Sequence, residues 1–285
     1  MLGLDLNLDS MQIKALTDVN FSQLTACFNE AFSDYFIPFE VDEAYLQERW
    51  GAAEVDYSLS RGAYIGERLV GFIMIALADW EGTQTHYNAG TGVIPDFRGQ
   101  GLVGQLYASL LEDLQARQIK QGLLEVIVQN ERAIKAYQKV GYEIGRRLCC
   151  FKGSMPLFTA AQNASIRPSA QPDWDHYQRL SPFIWSWDSQ ARTARNLGDA
   201  VECWEYRSDD QLEAFFVYQP ANKRLVQWGE AFGKAGSLNL LLRQVLSGVE
   251  GLRVINVDAE AKAEIARMDD LGLQATVDQF EMWRK

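Results

Sequence analysis

The sequence is poor in metal-binding and redox residues. Its 285 residues include two histidines, His86 and His176, and four cysteines, Cys27, Cys149, Cys150 and Cys203. No Cys-x-x-Cys spacing occurs, so no zinc site is expected and no metal is assigned. The four cysteines read as reduced thiols in a reducing compartment. Cys149 and Cys150, adjacent in a strand-like run, should point to opposite faces. No apolar run approaches about 18 residues, so no membrane span is expected. The opening MLGLDLNLDSMQ lacks a basic stretch followed by an apolar core and does not read as a signal peptide, which points to the cytoplasm. Basic residues are outnumbered, 27 Lys+Arg against 38 Asp+Glu, a formal net charge of −11. That argues against a nucleic-acid backbone partner and leans weakly toward a neutral or cationic small substrate.

What is present is an ordinary globular balance, 47% hydrophobic and 23% charged, in a chain longer than one compact core usually absorbs. Two domains are expected. The pattern opens with a strand at QIKAL, then a helix capped by Asn20 with Phe21, Leu24, Cys27, Phe28 and Phe32 on one face. Pro38 holds Ile37 extended, ending that helix, and a second helix runs from Asp42 to Trp50. Two strands meet at Gly66-Glu67, and THYNAGTGVI makes a third, where Gly90 and Gly92 signal a bulge or a close backbone approach. A helix bearing Leu102, Leu106, Leu110, Leu111 and Leu114 follows, then the strand GLLEVIV, the helix ERAIKAYQKV stopped by Gly141, and the strand YEIGRRLCCFKG. Residues 152–165 form a small, polar linker, and beyond them the same order restarts, an internal duplication.

The stretch PDFRGQGLVGQLY places Arg98, Gly99, Gly101 and Gly104 at a strand-to-helix turn, although glycine at a helix start is unfavourable by about 0.5–1 kcal/mol against alanine. Free amides and the positive end of the helix dipole make such a turn an anion site, and bare glycines let phosphate oxygens approach. Arg98 either adds charge or braces the turn; a plain surface turn with a basic residue is the alternative for this segment alone.

VIPDFRGQGLVGQLYASLL resembles the coenzyme A signature of the GNAT acetyltransferase superfamily, Gln/Arg-x-x-Gly-x-Gly/Ala. Arg98 and Gly101 match, while Val103 departs at the sixth position and Gly104 follows one step later. LEVIVQNERAIKAYQKVGYEI resembles the second signature, with Asn130, Ala133, Tyr137, Gly141 and Tyr142 in place. The resemblance covers about Gln12 to Lys152. It implies an α/β (α+β) fold of two tandem GNAT-like domains, each a mixed, mostly antiparallel sheet flanked by helices. Residues 1–151 would be catalytic, 152–165 the linker and 166–285 a degenerate copy. It further implies acetyl-CoA as cofactor, with Val93 and Ile94 along the pantetheine arm. Arg98, Gly99, Gln100, Gly101, Leu102, Val103 and Gly104 would lie around the pyrophosphate. Asn130, Ala133 and Tyr137 would flank the thioester, which lies where two central parallel strands part. The Tyr137 phenol, ordinarily protonated at neutral pH, can give its proton to the leaving thiolate; a core aromatic is the plainer role.

The base that takes the acceptor's proton is harder to find. The resemblance implies a carboxylate, or water held by one, on the strand before the turn or in the loop between the first two helices. That strand offers His86, Tyr87, Asn88 and Thr91 but no carboxylate. The loop offers Asp34 and Tyr35 of SDYFIP, for which a helix-ending turn is the plainer role, and Asp79 and Glu81 near a strand turn are further candidates. In the second half Met268 stands where Tyr137 would, and FGKAGS replaces the Arg/Gly turn, so that half should lack the cofactor chemistry. The aromatics of PFIWSW either shape an acceptor cleft or fill a core. The expected activity is N-acetyl transfer to a primary amine of a small molecule or peptide, by a monomer or homodimer with no nucleic-acid or membrane partner. An acyl-CoA-binding sensor, or an acyltransferase with a different donor, is the alternative.

Overall fold

The computed structural model describes residues 11–36, 40–159 and 161–285. The expectations for Ile37 and Pro38, and for the first ten residues, fall outside them. The chain forms two compact units, Met1–Gly145 with Met282–Lys285, and Arg146–Glu281.

The first unit runs β1 (Met11–Ala15), α1 (Phe21–Ala31), α2 (Glu43–Ala52), β2 (Arg61–Ile65), β3 (Arg68–Trp80), β4 (Thr83–Val93), α3 (Leu102–Ala116), β5 (Gln121–Ile127), α4 (Glu131–Lys139) and the start of β6 (Glu143–Gly153). Its sheet is ordered β1-β2-β3-β4-β5, antiparallel except for the parallel pair β4–β5. Local chemistry sets the boundaries. Asn20 accepts the Gln23 amide at 3.2 Å to start α1, and Asp42 accepts that of Tyr45 at 2.8 Å to start α2. Leu24, Cys27, Phe28 and Ala31 bury one stripe of α1, and Phe28 stacks on Phe72 of β3 at 5.9 Å between ring centroids. Gly92 is required by that packing, since a Cβ there would stand 2.7 Å from the Phe72 ring and 3.0 Å from the Ala31 Cβ.

The second unit contains β7 (Ile166–Pro168), α5 (Trp174–Leu180), α6 (Ala191–Asn196), β8 (Glu202–Ser208), β9 (Gln211–Gln219), β10 (Arg224–Glu230), α7 (Ser237–Val245), β11 (Leu252–Asp258), α8 (Lys262–Asp270) and most of β12 (Leu273–Arg284). Its order is β12-β6-β11-β10-β9-β8-β7, with β10–β11 again a parallel pair. Both units therefore repeat antiparallel strands, then a parallel pair joined through a helix. The rings of PFIWSW fill this unit's interior: Trp185 and Trp187 are buried, and Phe183 packs on the core. All four cysteines are free thiols.

Candidate active site

The site begins where β4 and β5 part. Their ladder ends at Tyr87 and Leu123 after Thr85–Gln121 and His86–Gly122, while β4 stays paired with β3 as far as Val93. Met74 faces Gly90 and Ile75 faces Asn88, leaving Ala89 as the extra residue of a bulge at the parting. A bulge bends its strand and steepens the twist, which pulls β4 away from β5.

Beyond β4 the chain makes a 3-10 turn at Pro95–Phe97 and enters α3 through Gly99 (φ 81°) and Gly101 (φ 75°), conformations that L side chains rarely adopt. No described side chain caps α3. Gly104 is the informative glycine. It lies inside the helix, where glycine is unfavourable, yet a Cβ there would meet nothing within 4 Å. No protein atom demands its bareness, which leaves room for a group from outside. The N-terminal amides and dipole suit an anion.

Arg98 takes the bracing role. It grips both Asp34 carboxylate oxygens at 2.7 and 2.8 Å, and donates to the carbonyls of Ala31 at 2.8 Å and Val93 at 3.0 Å. The hydrogen bond from Arg98 holds the Asp34 carboxyl below its usual range. Arg132 of α4 brings a second cation to the turn, its Nη2 3.5 Å from where a Cβ on Gly99 would stand. Sequence reasoning did not single it out, because the contact depends on how α4 packs.

The strand faces separate two sets of groups. His86, Asn88 and Thr91 pair with Leu77, Ile75 and Ile73 and share one face; Tyr87 pairs with Ala76, on the same face as Phe72, the α1 side. On the other face Asn88 Nδ2 donates to Tyr107 of α3 at 2.9 Å, and His86 Nε2 lies 2.9 Å from the Tyr142 hydroxyl. Tyr137 of α4 is buried there. Its ring packs edge-on against Tyr107 and Tyr142. Burial pushes its pKa up to about 12.

Tyr35, half-buried after α1, has its pKa raised by burial, with Asn130 acting against that rise, and lies close enough to Tyr137 to influence its ionisation. Asn130 also caps α4, accepting the Ala133 amide at 3.1 Å. The fold thus gathers Tyr35, Thr91, Asn130 and Tyr137 at the mouth of the gap, and turns Asp34 aside to Arg98. Ile94 and Leu102 are buried, and the Ile94 amide donates to Val70 at 3.1 Å; Val93, Val103 and Ala133 are half-buried, and Gly99, Gln100 and Gly101 are exposed. Asp79 accepts the Gly82 amide at 2.8 Å in the β3–β4 hairpin, which also holds Glu81. That turn lies about 20 Å along β4 from the parting, at roughly 3.3 Å per residue.

A carboxylate does face the parting, from β5. On the α1 side the Tyr87 hydroxyl donates to Glu125, two positions beyond the last paired residue of β5. The strand register brings these two together, and sequence spacing gave no signal for it.

The profile of the Acetyltransferase (GNAT) family matches residues 24–142, the span that carries this geometry. Residues 24–142 therefore carry a GNAT acetyltransferase domain. Its chemistry is therefore acyl transfer. A GCN5-related N-acetyltransferase from Sphaerobacter thermophilus superposes with a TM-score of 0.69 at 12% identity, covering 97% of this chain and 96% of that one. A tandem GNAT protein of the clavulanic acid biosynthesis pathway gives 0.66 at 14% identity, covering 96% and 98%. At such identities these likenesses show the fold: the GNAT architecture extends over both units. No curated protein sequence matches the chain. No described helix is long and apolar enough to cross a membrane.

Proposed function

We propose that the first unit transfers an acetyl group from acetyl-CoA to a primary amine of a small molecule or peptide, directly within a ternary complex. One observation carries the reading: β4 and β5 part directly before an uncapped helix N-terminus, with a buried phenol in the gap. The amides of residues 99–104 would hold the pyrophosphate, with Arg132 adding charge. The exposed edge of β4 around Val93 would follow the pantetheine arm, and Asn130 and Ala133 would flank the thioester.

Tyr137 stands as the acid. At a pKa of about 12 it stays protonated at every working pH and gives its proton to the departing thiolate. The Tyr87–Glu125 pair stands on the opposite face as the base, taking the proton that the amine nitrogen loses as its bond to the acyl carbon forms. This replaces Asp34, whose pairing with Arg98 weakens it as a base and makes it part of the turn. Tyr35 lines the acceptor's approach. Direct transfer is also favoured by the cysteines: burial pushes the Cys27 thiol up to about 12, and the Cys149, Cys150 and Cys203 thiols are raised in the same way, which leaves no activated nucleophile among the four. In this proposal residues 1–151 form the catalytic domain and residues 166–285 a copy without cofactor chemistry.

Thiol release from acetyl-CoA, measured across a panel of primary amines, tests this. At least one amine should accelerate release. Tight acetyl-CoA binding with no amine-dependent release would support the sensor reading instead, and faster turnover of a longer acyl-CoA would move the donor assignment.

A further inference from the structure

The Tyr87–Glu125 pair lies beside a strand position that carries no side chain. Glu125 is two residues beyond Leu123, which pairs with Tyr87, and the Tyr87 hydroxyl donates to it on the α1 side. The register therefore sets Glu125 level with Ala89 and Gly90 across the parting. Gly90 pairs with Met74 and Gly92 with Phe72, so a side chain at either glycine would point to that same side. Gly92 is bare because the Phe72 ring and Ala31 close on it. Gly90 has no such neighbour. Its φ lies outside the left-handed region that favours glycine, and a Cβ there would meet no described atom within 4 Å. Glycine weakens a strand interior, and one that no neighbour demands marks a place kept open for another molecule.

A row of rings borders this space. Phe28 of α1 stacks on Phe72, and Phe32 follows Phe28 at 4.6 Å between centroids. Tyr35 stands edge-on to Phe32 at 5.0 Å, and Phe36 edge-on to Tyr35 at 5.4 Å. Exposure rises along the row, from 2% at Phe28 to 53% at Phe36. Single exposed rings are ordinary on a surface. Here the row runs outward from the core beside Gly92, where Ala31 closes on the strand. The backbone that carries it is fixed at both ends. Arg98 holds Asp34 and the Ala31 carbonyl, and Asn29 exchanges hydrogen bonds of 2.9 and 3.0 Å with the Val41 carbonyl and amide. Gly90 and Gly92 are two residues apart, about 7 Å along the strand. A short alkyl tether spans that distance from the carboxylate to the rings.

We propose that the acceptor is a primary amine bearing an aromatic group on a short alkyl chain, and that Gly90 is the residue that sets this specificity. The amine nitrogen lies over Gly90 beside Glu125, and the ring lies against Phe32, Tyr35 and Phe36. The inference rests on acyl transfer to an amine by the first unit and names the class of that amine.

Thiol release from acetyl-CoA with phenethylamine, propylamine and spermidine tests it. Phenethylamine should exceed both others in kcat/KM by about tenfold or more. Gly90→Val introduces a β-branched side chain that suits a strand, so the variant should fold as the wild type does. It should lower kcat/KM for phenethylamine by about thirtyfold or more, with acetyl-CoA affinity within about threefold. Phe36→Ala should cut the preference for phenethylamine over propylamine by about fivefold. Equal or better turnover of propylamine or spermidine, or an unchanged preference in both variants, would overturn the inference. A Gly90→Val effect that follows the length of the acyl chain, and not the amine, would assign the space to the donor and overturn it as well. If no amine accelerates release, acyl transfer to an amine fails, and the site is then read by calorimetry on the protein saturated with coenzyme A. Phenethylamine should bind there, and Phe36→Ala should weaken it by about fivefold. Absence of that binding would overturn the inference on its own.

Discussion

In the first unit, β4 leads through a glycine turn into a helix that no described side chain caps; in the second, β10 leads through a glycine turn into α7, where Glu230 accepts the Leu238 amide at 2.8 Å. Both helices start from a left-handed glycine, Gly101 at φ 75° and Gly236 at φ 98°. Each turn also carries a cation tied to a carboxylate, Arg98 to Asp34 and Lys234 to Glu213. The gaps diverge likewise. In the second unit Trp228 of β10 reaches α8, its indole donating to Glu264 at 2.6 Å, and packs on Trp185 at 4.7 Å between rings. Met268 occupies the place on α8 that Tyr137 has on α4, and Asn256 the place before α8 that Glu125 has before α4. A helix N-terminus and a strand gap are thus not sites by themselves. They are sites where the chain leaves its own amides and its own space unsatisfied.

Changing first-unit residues toward their second-unit counterparts sharpens this contrast. The largest effect is expected from Glu125→Gln, which replaces the carboxylate by an amide, as at Asn256. Loss of a general base typically costs about 10²–10⁴ in rate, and kcat should fall in that range with little change in acetyl-CoA affinity. Tyr137→Phe should lower turnover by about 10–100-fold, less than the base because a thiolate is already a fair leaving group. With the phenol pKa at about 12, no alkaline loss of rate up to about pH 10 should trace to this residue.

The smallest effect separates a brace from a base. Asp34→Asn should raise KM for acetyl-CoA by about three- to tenfold through a loosened turn, while kcat and its pH profile stay as they were. The sign follows from the direction of the shift. Arg98 lowers the Asp34 pKa, so the pair is intact above the ordinary carboxylate value of about 3.9 and is lost only as pH falls through the lowered value. The wild-type KM should therefore stay flat from about pH 5 to 9 as far as Asp34 is concerned.

What was legible in the sequence was local. Asn20 caps α1 within three residues of itself, Gly66-Glu67 turns a hairpin, and the glycine turn and the Asn-to-Tyr spacing of α4 lie each within one stretch. What was not legible depends on pairing across the sheet. Arg98 meets Asp34 over 64 residues, Tyr87 meets Glu125 over 38 and Asn88 meets Tyr107 over 19, each contact fixed by strand register and helix packing. The substitution of Met268 for a tyrosine was visible in the second half, but the self-capping by Glu230 was not, because a glutamate ending a strand has many possible partners.

The central claim is that the open amides of α3 hold the cofactor and the closed ones of α7 do not. Gly104→Glu tests it most directly by building into the first unit the plug the second already has. At the third position of the helix, a glutamate reaches back to the N-cap amide and should stabilise α3 while filling the anion site. Gly104 suits this test better than Gly101, where φ 75° would strain any side chain. Calorimetric titration with coenzyme A should give one site per chain for the wild type. For Gly104→Glu it should show at least a hundredfold weaker binding, about 2.7 kcal/mol, with no drop in melting temperature. Two equivalent sites per wild-type chain, or undiminished affinity in Gly104→Glu, would contradict the account.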